Sequence, residues 1–280
     1  MRDVTAASEH SYTINLSILF SELPLLERPA AAAGAGFTRA ELWWPFGTQT
    51  TPDAAELDAL RKAFADAGVR LTGLNVLDDL TAGAKGTASL PAERERFREN
   101  LPVAAALASS LGAGALNVLY GNRIEGVSAE EQDALALENL TLAAEAAHSI
   151  GAILLIEALN KVDAPDYPLH TAKAAVEVVD RVNAATGLGN AKFLCDFYHL
   201  AVNGEDLVAV IDSYADRIGH VQIADHPGRN EPGTGTLDVQ DLLARLTAAG
   251  YAGRIGLEYR PATGVSADSF GWLPRELRAR

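Results

Sequence analysis

Residues 128–157 read SAEEQDALALENLTLAAEAAHSIGAILLIE and contain one complete helix-to-strand unit. Ser128 followed by Glu131 is the pattern of a helix N-cap, and an apolar-periodic run follows it. Gly151 then supplies the left-handed conformation that commonly ends a helix. The run Ile153–Glu157 is apolar up to its last residue, as in a strand covered on both faces. The stretch therefore predicts a helix, a tight joint and a buried strand that ends in an acid.

The same joint recurs along the chain. Four further glycines each follow a helical pattern and precede a short apolar run, at Gly36, Gly68, Gly112 and Gly250. The eight candidate strands are Tyr12–Leu16, Arg39–Leu42, Leu71–Asn75, Ala115–Val118, Ile153–Glu157, Lys192–Asp196, Ile218–Gln222 and Arg254–Glu258. The seven candidate helices are Leu23–Ala35, Pro52–Ala67, Pro91–Leu111, Ala129–Ile150, Thr171–Asn183, Glu205–Tyr214 and Asp238–Ala249. Strict alternation with short joints predicts an α/β fold with a parallel sheet covered by helices, and eight units favour closure into a (β/α)₈ barrel.

An open, doubly wound sheet is the alternative architecture. Such a sheet usually has a glycine-rich turn after its first strand, whereas this chain has Asn15-Leu16-Ser17-Ile18 there. A barrel of about 250 residues would use almost all of the 280 residues. We therefore expect a flexible N-terminal segment over residues 1–11 and one barrel domain over residues 12–280. The last stretch, 267–280, is predicted to be a terminal helix or a tail.

Charge and cysteine content narrow the function classes. The net charge of −14 repels phosphate backbones, which argues against a nucleic-acid partner. No run reaches the roughly 18 apolar residues of a membrane span, and the start of the chain lacks the apolar core of a signal peptide. The lone Cys195 excludes an intrachain disulfide and a cysteine-based zinc site, and it fits a cytoplasmic location. The sequence thus predicts an enzyme that is located in the cytoplasm and acts on a small molecule. Homo-oligomerisation is expected by analogy with other barrels.

Polar side chains end four consecutive strands of the predicted barrel. Glu157, Asp196, Gln222 and Glu258 each close an apolar run, on strands five to eight. Because barrel active sites form at the C-terminal ends of the strands, these side chains should converge. Three carboxylates and an amide oxygen would repel one another without a cation, and all-oxygen ligands suit Mg²⁺ or Mn²⁺ better than zinc or copper. A single strand-end acid such as Glu157 could instead cap a helix or face solvent, so the prediction depends on the set of four.

Three loop residues are candidates for binding a substrate. His199 lies three residues beyond Asp196 and could bind a substrate oxygen, although a structural histidine is the alternative. Arg229 could hold a substrate carboxylate by a bidentate contact, or it could be a solvated loop charge. His170 follows the fifth strand and is placed near the site. The Gly-x-Gly at 233–235 has no following Lys-Ser/Thr pair, so it predicts a tight turn rather than a phosphate loop.

Five segments together resemble the hydroxypyruvate isomerase family of xylose isomerase-like TIM barrels. These segments are Ile156–Asn160, Cys195–His199, His220–Asp225, Glu231–Gly235 and Leu257–Pro261. The resemblance extends over nearly the whole chain and implies a metal site made by Glu157, Asp196, Gln222 and Glu258, with the two glutamates also acting as the proton donor and acceptor. It also implies a substrate role for Asn75. The related ketohexose epimerases usually carry a histidine where this chain has Gln222.

The reaction that this resemblance implies is the interconversion of hydroxypyruvate and tartronate semialdehyde. A metal acting as a Lewis acid would stabilise a cis-enediolate, while Glu157 and Glu258 move one proton between neighbouring carbons. Leu74, Leu77 and Lys161 depart from the residues usual in the family, and the resemblance implies that these positions face the substrate mouth. A ketose 3-epimerase, a 2-oxo-tetronate isomerase, a metal-dependent hydrolase or dehydratase, and a non-catalytic sugar-acid-binding protein therefore remain alternatives.

Overall fold

The strands close into a parallel barrel in a computed structural model, which describes residues 10–80 and 83–279. Neighbouring strands pair in chain order, and the eighth strand pairs with the first. The strands are β1 (Ser11–Asn15), β2 (Arg39–Leu42), β3 (Arg70–Asn75), β4 (Ala115–Asn117), β5 (Ile153–Glu157), β6 (Ala191–Asp196), β7 (Ile218–Ile223) and β8 (Arg254–Leu257). The predicted closed barrel is confirmed, and the open sheet is excluded. The predicted flexible segment over residues 1–11 lies outside the described residues, except for His10 and for Ser11, which begins β1.

Helices cover the outside of this barrel. Within the described residues they are α1 (Arg28–Gly34), α2 (Ala54–Ala67), α3 (Arg94–Leu111), α4 (Ala129–Ser149), α5 (Ala172–Thr186), α6 (Phe197–Val202), α7 (Leu207–Tyr214), α8 (Val239–Ala248) and α9 (Arg275–Arg278). Short 3₁₀ turns cover Leu25–Glu27, Pro91–Glu93 and Ser266–Phe270. Predicted and observed elements agree closely, and β2 and β5 have the predicted bounds. None of these helices combines the length and apolar character needed to cross a bilayer, as far as the described residues go.

Helix ends follow the local signals that predicted them. The Oγ atom of Ser128 accepts a hydrogen bond from the backbone N–H of Glu131 at 3.1 Å, so Ser128 is the N-cap of α4. Asp53 and Glu56 form a reciprocal capping box at the start of α2, which makes Asp53 the N-cap and puts Pro52 outside the helix rather than in its first turn. Gly68 has a φ of 65°, the left-handed conformation that ends α2.

One helix was not predicted, and it begins in the candidate site. Helix α6 follows β6 without a loop, because Asp196 is both the last residue of the strand and the N-cap of the helix. Its Oδ1 accepts hydrogen bonds from the backbone N–H groups of Tyr198 and His199, at 2.7 and 3.2 Å. A six-residue helix joined directly to a strand has too few turns for its periodicity to be recognised.

The interior of the barrel is only partly apolar. Ala115, Leu155 and Leu194 form a small cluster inside the barrel, separate from the large core between the sheet and the helices. Glu41 on β2 and His220 on β7 line an internal cavity of about 110 Å³ together with these apolar residues. The interior of the barrel therefore holds polar as well as apolar side chains.

The end of the chain folds back onto the barrel. The guanidinium of Arg278 in α9 donates to the backbone oxygens of Ala35, Phe270 and Leu273 at 2.8–3.0 Å. Leu277 is buried by the same packing. The described part of 267–280 is therefore a 3₁₀ turn followed by a short terminal helix, the first of the two forms predicted for it.

Candidate active site

The four strand-end side chains are buried at the C-terminal end of the barrel. Glu157 ends β5, Asp196 ends β6, Gln222 lies in β7, and Glu258 directly follows β8. Each of them is at most 5% exposed. Asp196 and Gln222 are direct partners in the β6–β7 register. One carboxylate oxygen of Glu157, one carboxylate oxygen of Asp196 and one ring nitrogen of His199 lie within 4.8 Å of one another.

Neutral donors hold one oxygen of each glutamate. The Nδ2 atom of Asn117 donates to Oε2 of Glu157 at 3.0 Å. The Nδ2 atom of Asn15 and the indole Nε1 of Trp43 donate to Oε1 of Glu258 at 2.9 and 2.8 Å. These contacts fix the direction of both carboxylates and leave each with a second oxygen for other partners. Such pre-oriented carboxylates are suited to binding a cation or to moving a proton.

The electrostatics of the site favour a bound cation. Burial, with the neighbouring charge of Asp196 adding to it, raises the pKa of Glu157 to about 8. Burial also raises the pKa values of Asp196 and Glu258, and the positive charge of Arg229 opposes both shifts. Oδ2 of Asp196 and Oε1 of Gln222 are buried without a hydrogen-bond partner among the described residues. A hard divalent cation would satisfy both of these oxygens and neutralise the carboxylates, so the residues present fit a divalent metal ion.

His199 is held as a hydrogen-bond donor by its surroundings. The backbone N–H of Asn160 donates to Nδ1 of His199 at 3.1 Å, so Nδ1 carries a lone pair and the ring proton is on Nε2. Burial lowers the pKa of His199 well below its usual range, and the charges of Arg229 and Lys85 add to this effect. The ring is therefore neutral. Its Nε2 is 3.8 Å from Oε1 of Glu157 and 3.7 Å from Oδ2 of Asp196, too far for a hydrogen bond, so the N–H is available to a ligand.

This tautomer predicts that His199 binds substrate and not metal. In His199→Asn, the amide oxygen can still accept the Asn160 N–H, but the Nε2 donor is lost. We expect kcat/KM to fall by roughly tenfold or more, as for the loss of one hydrogen bond, while Mn²⁺ affinity stays at the wild-type value. His199→Gln restores an amide donor farther along the side chain and should recover part of the activity. A large loss of Mn²⁺ affinity in His199→Asn would show that the ring is a metal ligand.

Arg229 is directed into the site by the loop after β7. Both carboxylate oxygens of Asp225 accept hydrogen bonds from backbone N–H groups. Its Oδ2 accepts those of Gly233 and Gly235 at 2.8 Å. This is the tight turn predicted for 233–235, and a Cβ on Gly235 would lie 2.4 Å from the backbone oxygen of His226. The guanidinium of Arg229 lies 3.3 Å from Oε2 of Glu258, and its central carbon is 5.2 Å from the ring centroid of Tyr198. Arg229 is thus a fixed cation beside the carboxylates.

An open cavity of about 310 Å³ gives access to these groups. Its charged lining consists of three acids, Glu157, Asp163 and Glu258, and three cations, Lys85, Arg229 and Arg260. The cavity can therefore receive a small polar molecule that carries a negative charge, although the chain as a whole has a net charge of −14.

The two remaining predicted substrate residues differ in position. Asn75 lines the cavity, and its Nδ2 donates to Oδ2 of the buried Asp78 at 2.8 Å. His170 does not lie among the residues that line the cavity. Its Nε2 is 2.9 Å from the backbone oxygen of Ala164, and its own backbone oxygen accepts from Asn203. The structure gives His170 a place in the loop after β5, and a contact with substrate stays a prediction.

Several residues of the site were not identified from the sequence. Asn15 and Asn117 end β1 and β4, so the rule that selected the four later strand ends would have found them if it had been applied to the first strands. Trp43 and Lys85 lie in loops, where no local pattern indicates which side chain turns inward. Glu41 precedes the last residue of β2, so the strand-end rule would not have selected it.

Comparisons with known proteins agree with this geometry. The family model described as xylose isomerase-like TIM barrel matches residues 29–276. A putative hydroxypyruvate isomerase of Streptomyces coelicolor is 62% identical over 97% of this chain and 98% of its own length. The hydroxypyruvate isomerase of Escherichia coli is 34% identical, with 91% and 95% covered. A 2-oxo-tetronate isomerase of Cupriavidus necator is also 34% identical, with 94% and 96% covered. With a matching family model, a closed barrel and full-length relatives, this chain belongs to the hydroxypyruvate isomerase family of xylose isomerase-like TIM barrels.

Proposed function

We propose that this protein is an isomerase that interconverts hydroxypyruvate and tartronate semialdehyde by moving a proton between adjacent carbons. The observation that carries the proposal is the pair of buried glutamates, Glu157 and Glu258, each held through one oxygen by neutral donors and both lining one cavity. Two oriented carboxylates are what proton removal and return at neighbouring carbons require. The relatives named hydroxypyruvate isomerase support the same reaction.

The charge of the cavity favours an acid as substrate. Lys85, Arg229 and Arg260 line the cavity beside its acids, and a substrate carboxylate would pair with one of these three cations. A neutral ketose would offer no charge to these three side chains, so a ketose 3-epimerase is less well supported. A 2-oxo-tetronate isomerase is the second candidate, because its four-carbon substrate also carries a carboxylate and a relative of that name matches nearly the whole chain.

Glu157, Asp196, Gln222 and Glu258 would hold the metal ion. Support for this set comes from the unpartnered oxygens of Asp196 and Gln222 and from the hard oxygen character of all four side chains. His199 is left out of the set because its Nδ1 accepts a backbone N–H and its Nε2 carries the proton. When bound, Mg²⁺ or Mn²⁺ would supply Lewis-acid stabilisation of negative charge on substrate oxygens.

The side chains of this chain would perform the proton transfer. Glu157 and Glu258 approach the cavity from β5 and β8, so one can take the proton from C3 of hydroxypyruvate while the other delivers a proton to C2. Burial raises the pKa values of both carboxylates above that of a solvated glutamate, and a bound cation would act in the opposite direction. The Nε2–H of His199 would donate to a substrate oxygen, and Arg229 would pair with the substrate carboxylate. A cytoplasmic location and a homo-oligomeric assembly stay predictions from the sequence.

The proposal is tested by NMR of hydroxypyruvate in deuterated water with Mg²⁺. We expect deuterium to enter C3 of hydroxypyruvate and C2 of the product, and tartronate semialdehyde to accumulate to equilibrium. Parallel samples with a four-carbon 2-oxo acid and with neutral ketoses compare the candidate substrates, and a sample without protein measures spontaneous enolisation. Turnover of ketoses alone would identify an epimerase. Thermal stabilisation by the acids without any deuterium exchange would indicate a binding protein.

A further inference from the structure

A largely buried polar triplet inside the barrel connects the candidate metal ligand Gln222 to Glu41 and His220. Glu41 on β2 is 5% exposed, and its Oε2 accepts a hydrogen bond from Nε2 of Gln222 at 2.9 Å. Its Oε1 is 2.7 Å from Nε2 of His220. All three side chains line the internal cavity of about 110 Å³. The sequence reasoning assigned no role to Glu41 or to His220.

The chemistry of Glu41 determines which way the Gln222 amide points. An ionised carboxylate only accepts hydrogen bonds, so the amide nitrogen of Gln222 must face it and the amide oxygen must face away. That oxygen, Oε1, is buried and has no hydrogen-bond partner among the described residues. A half-turn of the amide would exchange oxygen for nitrogen, and an amide N–H cannot bind a cation. The metal site thus depends on an orientation that Gln222 cannot impose by itself.

The space around Glu41 is shaped to keep this contact. A Cβ on Gly256 of β8 would lie 2.7 Å from Oε1 of Glu41 and 2.9 Å from Cγ of Gln222, so only glycine leaves room for both side chains here. His220 holds the other oxygen of Glu41 and prevents the carboxylate from rotating. Residues of three strands, β2, β7 and β8, therefore maintain the hydrogen bond between Gln222 and Glu41.

We propose that Glu41 is a positioning residue that orients the Gln222 amide so that its oxygen faces the metal ion. The inference rests on the proposed metal site. It assigns a role to a buried acid that neither lines the substrate cavity nor belongs to the ligand set, and it makes Gln222 a ligand whose strength depends on a residue 181 positions away.

The proposal is tested by the dissociation constant of Mn²⁺, measured by electron paramagnetic resonance without substrate. In Glu41→Gln, an NH₂ group replaces one acceptor oxygen, so residue 41 can pair with either orientation of the Gln222 amide and no longer selects one. We expect Mn²⁺ to bind roughly 10–100-fold more weakly, as when a partner that orients a ligand is removed. In a Gln222→Glu background the ligand has two equivalent oxygens, and Glu41 then faces a like charge. Adding Glu41→Gln to that background removes the like charge and should strengthen Mn²⁺ binding. The same substitution is therefore expected to weaken Mn²⁺ binding beside Gln222 and to strengthen it beside a glutamate at 222.

The outcomes separate the two proposals. A wild-type chain that does not bind Mn²⁺ would remove the metal site itself. Wild-type binding that Glu41→Gln leaves unchanged, or that Glu41→Gln weakens equally in both backgrounds, would remove the positioning role and leave the metal site standing. Circular dichroism and thermal melting confirm that each variant is folded.

A measurement on the unaltered chain covers the case in which Glu41→Gln does not fold. The chain has four glutamines, at 49, 132, 222 and 240, so ¹⁵N-glutamine labelling gives few side-chain amide signals, and loss of one signal in Gln222→Glu assigns it. We expect the Gln222 side-chain protons to exchange with water far more slowly than those of the exposed Gln49, and at a rate closer to that of the buried Gln132. Exchange as fast as that of an exposed glutamine would overturn the proposal.

Discussion

Glu157→Gln and Glu258→Gln are each expected to lower kcat by roughly 10²–10⁴-fold, the usual contribution of one positioned acid or base. The amide oxygen of glutamine can still accept from Asn117, or from Asn15 and Trp43, so the side chain keeps its place. It cannot accept a proton, and that is the step expected to fail. The measurement is steady-state turnover of hydroxypyruvate at saturating Mg²⁺, with Mg²⁺ titrated to exclude a loss that is due only to weaker metal binding.

The two variants also distinguish the roles of the two glutamates. Deuterium exchange at C3 of hydroxypyruvate needs only the glutamate that removes the C3 proton, so one variant should keep this exchange while the other loses it. Glu205→Gln is the matched control, because Glu205 is a half-buried acid outside the cavity whose Oε2 accepts the N–H of Ala172. It should retain wild-type turnover. Near-normal turnover in either Glu157→Gln or Glu258→Gln would contradict the mechanism in which both glutamates transfer the proton.

Removal of the divalent ion is expected to abolish turnover, and added Mg²⁺ or Mn²⁺ should restore it. The site contains three buried carboxylates and one buried cation, Arg229, and a small acid substrate would add a further negative charge. A metal ion held by these residues would supply Lewis-acid stabilisation of negative charge on the substrate oxygens, worth several kcal/mol. Full activity of the protein in excess EDTA would contradict the metal site, whichever residues are assigned to it.

The same ion should stabilise the fold in a way that depends on pH. The pKa of Glu157 is raised from 4.5 to about 8, so in the metal-free chain its contribution to stability is complete below pH 4.5 and is lost as the pH rises through about 8. A bound cation requires ionised Glu157, and its binding compensates for the stability that is lost when Glu157 ionises in the metal-free chain. We therefore expect the rise in Tm on adding Mn²⁺ to be larger at pH 8.5 than at pH 6. At a free Mn²⁺ concentration of about 100 times its Kd, binding adds about 2.7 kcal/mol to the free energy of unfolding. A rise that shrinks as the pH increases would contradict this assignment.

Much of the architecture could be predicted because the signals that specify it are local. A glycine in the left-handed conformation, a serine cap and an apolar run each act over a few residues, so the joint between α4 and β5 can be identified from 30 residues alone. Repetition of that joint predicted the eight strands. The polar residue that ends each late strand predicted where Glu157, Asp196, Gln222 and Glu258 would lie, because parallel strands bring their C-terminal ends together.

The tertiary structure decided the properties that depend on contacts between distant residues. Glu41 and His220 are separated by 179 positions and meet only because the barrel closes and faces both side chains inward. The tautomer of His199 is determined by a backbone N–H from another loop, 39 positions away. The amino-acid sequence by itself determined the strands, the joints and the types of the site residues, since propensity and periodicity are properties of neighbours along the chain. Closure of the barrel decided which atom of each side chain faces the cavity, because hydrogen bonds and charge in a buried site depend on what surrounds it in space.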